Sequence, residues 1–209
     1  MPVIAIANMK GGTGKTTTAM LTAAALHRRG KKAVILDADP QGSATDWYQI
    51  VEEDGGEWPA PVKLANVRTL SRLRKQVHFG PEEWTLIDCP PGTPAVIDAA
   101  MDAADYLIVP VSPSPIEVDR MWATLQMARG IPTRVLINRA EANTRTLADM
   151  IAGLDEESTP RFPVVIPKRQ EITRMSGVPI DDTTDLHGYD EVAGTLIDDW
   201  NTLAEEAVK

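Results

Sequence analysis

Cysteine is almost absent: Cys89 is the only one in 209 residues. A single thiol excludes a disulfide within the chain and any metal cage built from several cysteines of one copy. No apolar run approaches the roughly 20 residues a helix needs to cross a bilayer. The opening segment, Met1 to Ala7, has no basic region ahead of its apolar residues, which is unlike a secretory signal peptide. These absences lead to the expectation of a soluble, cytoplasmic, reducing setting. Positive charge is also in deficit, with 21 Lys and Arg against 30 Asp and Glu and a net charge of −9. That balance excludes a protein that coats DNA with its whole surface. Internal repeats, low-complexity tracts and long linkers are missing too. The expectation is one domain, 1–209, with a sizeable core.

What basic charge there is lies in two stretches. Residues 63–75 hold Lys63, Arg68, Arg72, Arg74 and Lys75 with no acid, and residues 161–174 hold Arg161, Lys168, Arg169 and Arg174 against Glu171 alone. Acids gather near the end of the chain, at Asp190, Glu191, Asp198, Asp199, Glu205 and Glu206. Short β-rich runs alternate with helical stretches, the pattern of a mostly parallel, twisted α/β sheet flanked by helices on both faces. The expected strands are 3–8, 33–37, 84–88, 106–111, 133–138 and 162–166, with a weaker one at 62–65. Most are continuous apolar runs, as strands buried on both faces require. Helices are expected from Lys15 to Arg29, stopped by Gly30, and over 191–207, where Val192, Leu196, Trp200, Leu203 and Ala207 form one stripe.

Between the first strand and the first helix stands Asn8-Met9-Lys10-Gly11-Gly12-Thr13-Gly14-Lys15-Thr16-Thr17-Thr18. Glycines at 11, 12 and 14 let the backbone curl so that successive N–H groups face a phosphate, and the helix adds its positive end. Residues 11–17 are therefore the candidate nucleotide cradle, with Lys15 reaching the β- and γ-phosphates and Thr16 binding Mg²⁺. Two more stations follow in order. Asp37-Ala38-Asp39-Pro40-Gln41 closes the second strand, and alternation predicts Asp37 and Asp39 on one side, facing one metal–water cluster. Ile87-Asp88-Cys89-Pro90-Pro91-Gly92 closes a hydrophobic strand, with Asp88 holding Mg²⁺ through a water. Either aspartate segment taken alone is also compatible with a simple strand cap. Cys89 reads as a small buried residue. Asn138, at the end of 133–138, offers an amide to a base or a cap to its strand, and Pro167 a wall for a ring or a plain turn.

Where an ordinary phosphate loop has glycine, this chain has Met9, followed by a second lysine. Lys10-Gly11-Gly12-Thr13-Gly14-Lys15-Thr16 resembles the deviant Walker A motif of the ParA/MinD superfamily, P-loop NTPases of the SIMIBI class, and the likeness extends from Val3 to the last helix. The resemblance implies that Lys10 crosses to a partner's nucleotide and that Lys15 acts on its own. It also implies that Asp39 positions the attacking water, Asp37 lies near the Mg²⁺ shell, Asn138 contacts adenine and Pro167 walls it. It implies ATP/ADP and Mg²⁺ as cofactors, slow hydrolysis, and an ATP-dependent homodimer. Small size and the lack of an N-terminal extension resemble the ParF-like ParA proteins of plasmid partition cassettes. Those leave centromere recognition to a small adaptor protein and bind nonspecific DNA through basic residues, for which Lys168, Arg169 and Arg174 are the candidates here. Arg68, Arg72 and Lys75, on one face of a helix after Asn66, come second, and ordinary solvated charge is the alternative for both groups. A MinD-like membrane regulator is the competing function, disfavoured because that family ends in a basic amphipathic helix and this chain in an acidic one. Iron–sulfur relatives of the fold need two cysteines per chain.

Overall fold

The computed structural model describes residues 1–73, 83–128 and 130–207. Arg74 and Lys75 of the first basic stretch lie outside the described residues. The elements are β1 (Val3–Ile6), α1 (Lys15–Arg28), β2 (Lys32–Asp37), α2 (Ser43–Glu53), β3 (Val62–Leu64), α3 (Val67–Leu73) and β4 (Glu83–Asp88). They continue with α4 (Pro94–Ala103), β5 (Tyr106–Val111), α5 (Pro115–Met127), β6 (Thr133–Ile137), α6 (Arg145–Glu156), α7 (Gln170–Arg174) and α8 (Tyr189–Ala207).

The six strands make one sheet in the order β3-β2-β4-β1-β5-β6, and every pair is parallel. Continuous apolar runs are what this sheet needs, because alternate side chains enter two separate cores. Ile4, Ile6, Ile35, Leu86, Ile108 and Leu136 pack under α1, α2, α7 and α8. Val3, Ala5, Val34, Leu36, Ile87, Leu107, Val109 and Val135 face α3, α4, α5 and α6. The chain leaves β1 toward β2 and leaves β4 toward β5, in opposite directions along the sheet. With one crossover hand, α1 and α4 fall on opposite faces, and a crevice opens between the C-terminal ends of β1 and β4. Ile6 is there in register with Asp88, and Asp37 lies beside Asp88 on the other side.

Three expectations change. The first strand stops at Ile6, short of the expected Asn8. Residues 162–166 form no strand: Arg161 and Pro167 make isolated parallel bridges to Val135 and Ala140. Pro163 has no N–H to give, so the segment follows β6 without completing a ladder. The last helix begins at Tyr189, two residues ahead of the expected Glu191.

That helix is firmly seated. Val192, Ala193 and Leu196 are buried in the core it shares with α1, and Trp200 meets Trp84 edge-on with centroids 6.2 Å apart. Arg134 of β6 grips Asp199 with two bonds, Nε to Oδ2 at 2.6 Å and Nη2 to Oδ1 at 2.8 Å. The Tyr106 hydroxyl donates to the same carboxylate. Burial opposes ionisation of Asp199, but the Arg134 and Tyr106 hydrogen bonds hold its carboxyl below the usual range. An acid depressed by folding stabilises above its unfolded pKa and loses that contribution as pH falls. Asp199→Ala is expected to lower stability by about 1–2 kcal/mol at neutral pH. Urea titration should show the gap to wild type closing below pH of about 4; a constant gap would rule out the ionised pair as its source.

Candidate functional site

The loop between β1 and α1 starts with Asn8, whose Nδ2 donates to the Pro110 carbonyl at 2.8 Å while its Oδ1 accepts from Lys10 N at 2.9 Å. Gly12 and Gly14 sit at φ +78 and +88, a region costly to residues with a Cβ. At Gly14 a Cβ would stand 2.4 Å from Asn138 Nδ2. None of the amides of Gly11 to Gly14 donates a hydrogen bond among the described residues, and no side chain caps α1. A ring of free donors at a helix N-terminus is an anion cradle. Lys15 is 6% exposed and its Nζ donates to the Lys10 carbonyl at 3.0 Å. Burial pushes its ammonium below the ordinary amine range, while Asp88 pulls the other way. Lys10 itself has an exposed side chain.

On the metal side, Thr16 Oγ1 donates to Asp88 Oδ2 at 2.7 Å. Burial pushes the Asp88 carboxyl up to about 7, against the downward pull of that hydrogen bond. Its second oxygen is buried with no partner among the described residues, as is the Thr13 hydroxyl. An orphaned carboxylate oxygen beside a threonine hydroxyl fits a hydrated divalent cation. No group of three His, Cys, Asp or Glu side chains able to hold a metal ion is found among the described residues, so such a cation would need phosphate oxygens and water for the rest of its shell.

Asp37 and Asp39 both lie near enough to Asp88 to push its carboxyl up, but strand alternation is not what places them. The strand ends at Asp37, so alternation does not carry on to Asp39. Asp37 Oδ2 accepts from Thr45 N at 2.9 Å and Thr45 Oγ1 at 2.8 Å, and its Oδ1 accepts from Asp39 N at 3.2 Å. These bonds hold the first turn of α2 and the Asp39 backbone. Asp39 lines the cleft over the phosphate loop, and Asp37 does not.

That cleft has a volume of about 740 Å³ and runs from Gly12, Thr16 and Thr17 past Asn138 and Pro167 to Lys168, Arg169 and Ile172. A Cβ at Gly11 would come 3.6 Å from Pro91, which lines the cleft. Asn138 is largely committed: Nδ2 donates to Thr13 O at 3.2 Å, and Oδ1 accepts from Arg139 N at 2.8 Å. Its amide braces the phosphate loop, with one acceptor lone pair left for a base. Of the DNA candidates, Lys168 is ion-paired to Glu141 at 2.6 Å, and both Lys168 and Arg169 line the cleft. Arg174 ends α7, exposed. Arg68 and Arg72 lie exposed on α3, which begins beyond Asn66 as expected, with the Asn66 side chain accepting from Thr69 N at 3.0 Å. Cys89 is fully buried, and burial pushes its thiol well above the ordinary range.

Tyr189 and Trp47 are among the site residues that escaped the sequence reading. Tyr189, fully buried, stands 3.4 Å from Thr18 Oγ1 and 3.5 Å from Asn138 Nδ2 through its hydroxyl. Trp47 of α2 also lines the cleft. Neither belongs to a local motif, so only the fold brings them in.

The chain is similar to several known proteins. The chain is 34% identical to the maintenance of carboxysome distribution protein A of Gloeobacter kilaueensis, over 85% of this chain and 83% of that one. It is 31% identical to the chromosome partitioning protein ParA of Caulobacter vibrioides, over 61% of this chain and 63% of that one. In fold it is similar to a Borrelia burgdorferi B31 protein described as a plasmid partition protein and bound to AMPPNP. That match has a TM-score of 0.74 at 19% identity and covers 95% of this chain and 99% of the other. The CobQ/CobB/MinD/ParA nucleotide-binding domain model matches residues 4–178, and the chain belongs to that family.

Proposed function

We propose that the protein is a slow Mg²⁺-dependent ATPase whose ATP-bound homodimer holds nonspecific DNA and moves a plasmid or chromosome. A small centromere-binding adaptor would stimulate its turnover. The observation that carries this reading is the division of labour between two lysines. Lys15 is buried with its ammonium at the phosphate loop, whereas Lys10 is exposed and outside the residues that line its own cleft. An exposed lysine there is available to a second copy's nucleotide, which would make ATP the cement of a dimer.

The chain's own groups divide the chemistry. The amides of residues 11–14 and Lys15 would hold the phosphates, and Thr16 and Asp88 would hold the cation through hydroxyl and water. Bound Mg²⁺ would neutralise charge developing on the phosphates. Asp39 would orient the attacking water. Among the described residues, the acids that line the cleft are Asp39 and Glu141, and Glu141 is tied to Lys168. With so little general-base power the reaction is expected to be slow and to time the dimer's lifetime.

A second reading changes only the cargo. A relative named for carboxysome distribution favours a protein compartment, with the same nucleotide switch. A MinD-like membrane role has less support, because the apolar side of α8 already packs on α1 and the core. The test is co-sedimentation with random-sequence DNA and with anionic liposomes, in MgATP and in MgADP. Binding to DNA with MgATP alone, falling steeply from about 50 to 200 mM salt, is expected. Arg68→Ala and Arg174→Ala, two arginines with no ion pair among the described residues, should each lower the logarithmic salt slope by about 1 if they touch phosphate. Lipid binding without DNA binding would reject the proposal.

A further inference from the structure

Resting on the nucleotide reading of the cleft, we infer that Arg139 is a positioning residue that, with Asn138, clamps the phosphate loop in its anion-binding form. Arg139 Nη1 donates to the carbonyl of Gly12 at 2.7 Å. Its neighbour Asn138 donates through Nδ2 to the carbonyl of Thr13 at 3.2 Å. Two consecutive residues at the end of β6 thus hold two consecutive carbonyls of the loop.

The consequence follows from peptide geometry. In a planar trans peptide the C=O of one residue and the N–H of the next point to opposite sides. Drawing the Gly12 carbonyl out to Arg139 turns the Thr13 N–H the other way, and drawing the Thr13 carbonyl to Asn138 does the same for the Gly14 N–H. These are among the amides that lack an acceptor among the described residues. Gly12 most needs such a restraint. It sits at φ +78 with no Cβ of its own to restrict it, so its own backbone offers little resistance to a turn of the peptide that follows it. A flipped Gly12 carbonyl would present an oxygen to the phosphates in place of a donor.

The clamp is itself held in place. Arg139 adopts φ +54, a left-handed conformation rare for a residue with a Cβ. The Asn138 Oδ1 bond to the Arg139 amide supports that turn at 2.8 Å. Behind it the Tyr189 hydroxyl, 3.5 Å from Asn138 Nδ2 and 3.4 Å from Thr18 Oγ1, links the brace to α1.

The test compares Arg139→Ala, Arg139→Lys and Arg139→Gly in the full chain by calorimetric titration with MgATP and MgADP, steady-state kinetics and thermal melting. Arg139→Ala should weaken ATP and ADP by the same factor, about tenfold, with the loss appearing in KM and kcat changing less than about twofold. Arg139→Lys, which keeps a long donor, should recover most of the affinity. Arg139→Gly should show the alanine loss with no fall in Tm, because glycine accepts the left-handed backbone. A larger loss for ATP than for ADP would overturn the clamp in favour of a direct γ-phosphate contact. Failure of lysine to rescue would overturn it in favour of a guanidinium stacked on the base. Unchanged affinity, or affinity falling only in step with Tm, would also overturn it. If wild type binds no MgATP, the nucleotide reading fails first and the clamp with it.

Discussion

Replacing Lys15 with alanine is expected to lower affinity for MgATP by at least about a hundredfold and to remove the rise in Tm that the nucleotide produces. The ammonium would make charge-assisted hydrogen bonds to two phosphates, each worth about 1.5–3 kcal/mol, and about 1.4 kcal/mol is a tenfold change. The same substitution should leave the nucleotide-free protein no less stable. Burial already disfavours the charged form of Lys15, and its one described hydrogen bond is to the Lys10 carbonyl. Function and stability therefore separate: ligand-induced stabilisation disappears while the unliganded melting point holds or rises. Titration calorimetry and melting with and without MgATP check both halves. Unchanged affinity and turnover would contradict the phosphate role of Lys15.

Asp39→Ala should do the opposite, leaving ATP affinity within about threefold while lowering kcat by about 10²–10³. Asp39 Oδ1 accepts from Gln41 N at 2.9 Å, which aims a carboxylate into the cleft from a loop pinned by Asp37. Removing it also removes a negative charge near the triphosphate, so binding has no reason to weaken. With hydrolysis slowed and ATP retained, a nucleotide-closed dimer should accumulate, visible by sedimentation velocity in MgATP. An unchanged kcat would transfer the water-orienting role elsewhere, and a lost dimer would sever hydrolysis from assembly.

The two aspartates show how far local pattern reaches. Asp88 was readable because it closes a buried strand and follows the phosphate loop in order, and the structure brings it to Thr16. Alternation could not by itself pair Asp37 with Asp39, because it is a property of strands and β2 stops at Asp37. Past that point Pro40 and the turn into α2 set direction, and Thr45 captures the first carboxylate. A similar limit applies to residues 162–166, where an apolar run suggested a strand and Pro163 left only two bridges.

Asn138 makes the point about side-chain employment. Its place at the end of β6 was predictable, but the partners of its amide were not. Gly14 leaves a gap that only the missing Cβ permits, and Asn138 fills it, so the glycine and the asparagine are one feature written 124 positions apart. Lys168 is parallel: its charge was evident and its pairing with Glu141 was not.

What the sequence by itself determined is local in origin: a curled glycine loop between strand and helix, acids at strand ends, and apolar runs long enough for a sheet buried on both faces. These depend on backbone stereochemistry and on periodicity within a few residues. The tertiary structure alone decided which donors are free and which are taken, because that depends on neighbours from distant elements. Packing β6 and α8 against the phosphate loop set Arg139, Asn138 and Tyr189 beside it and left the inner amides of the loop without acceptors among the described residues. Hydrogen bonds act over about 3 Å, so only the folded chain could assign those partners.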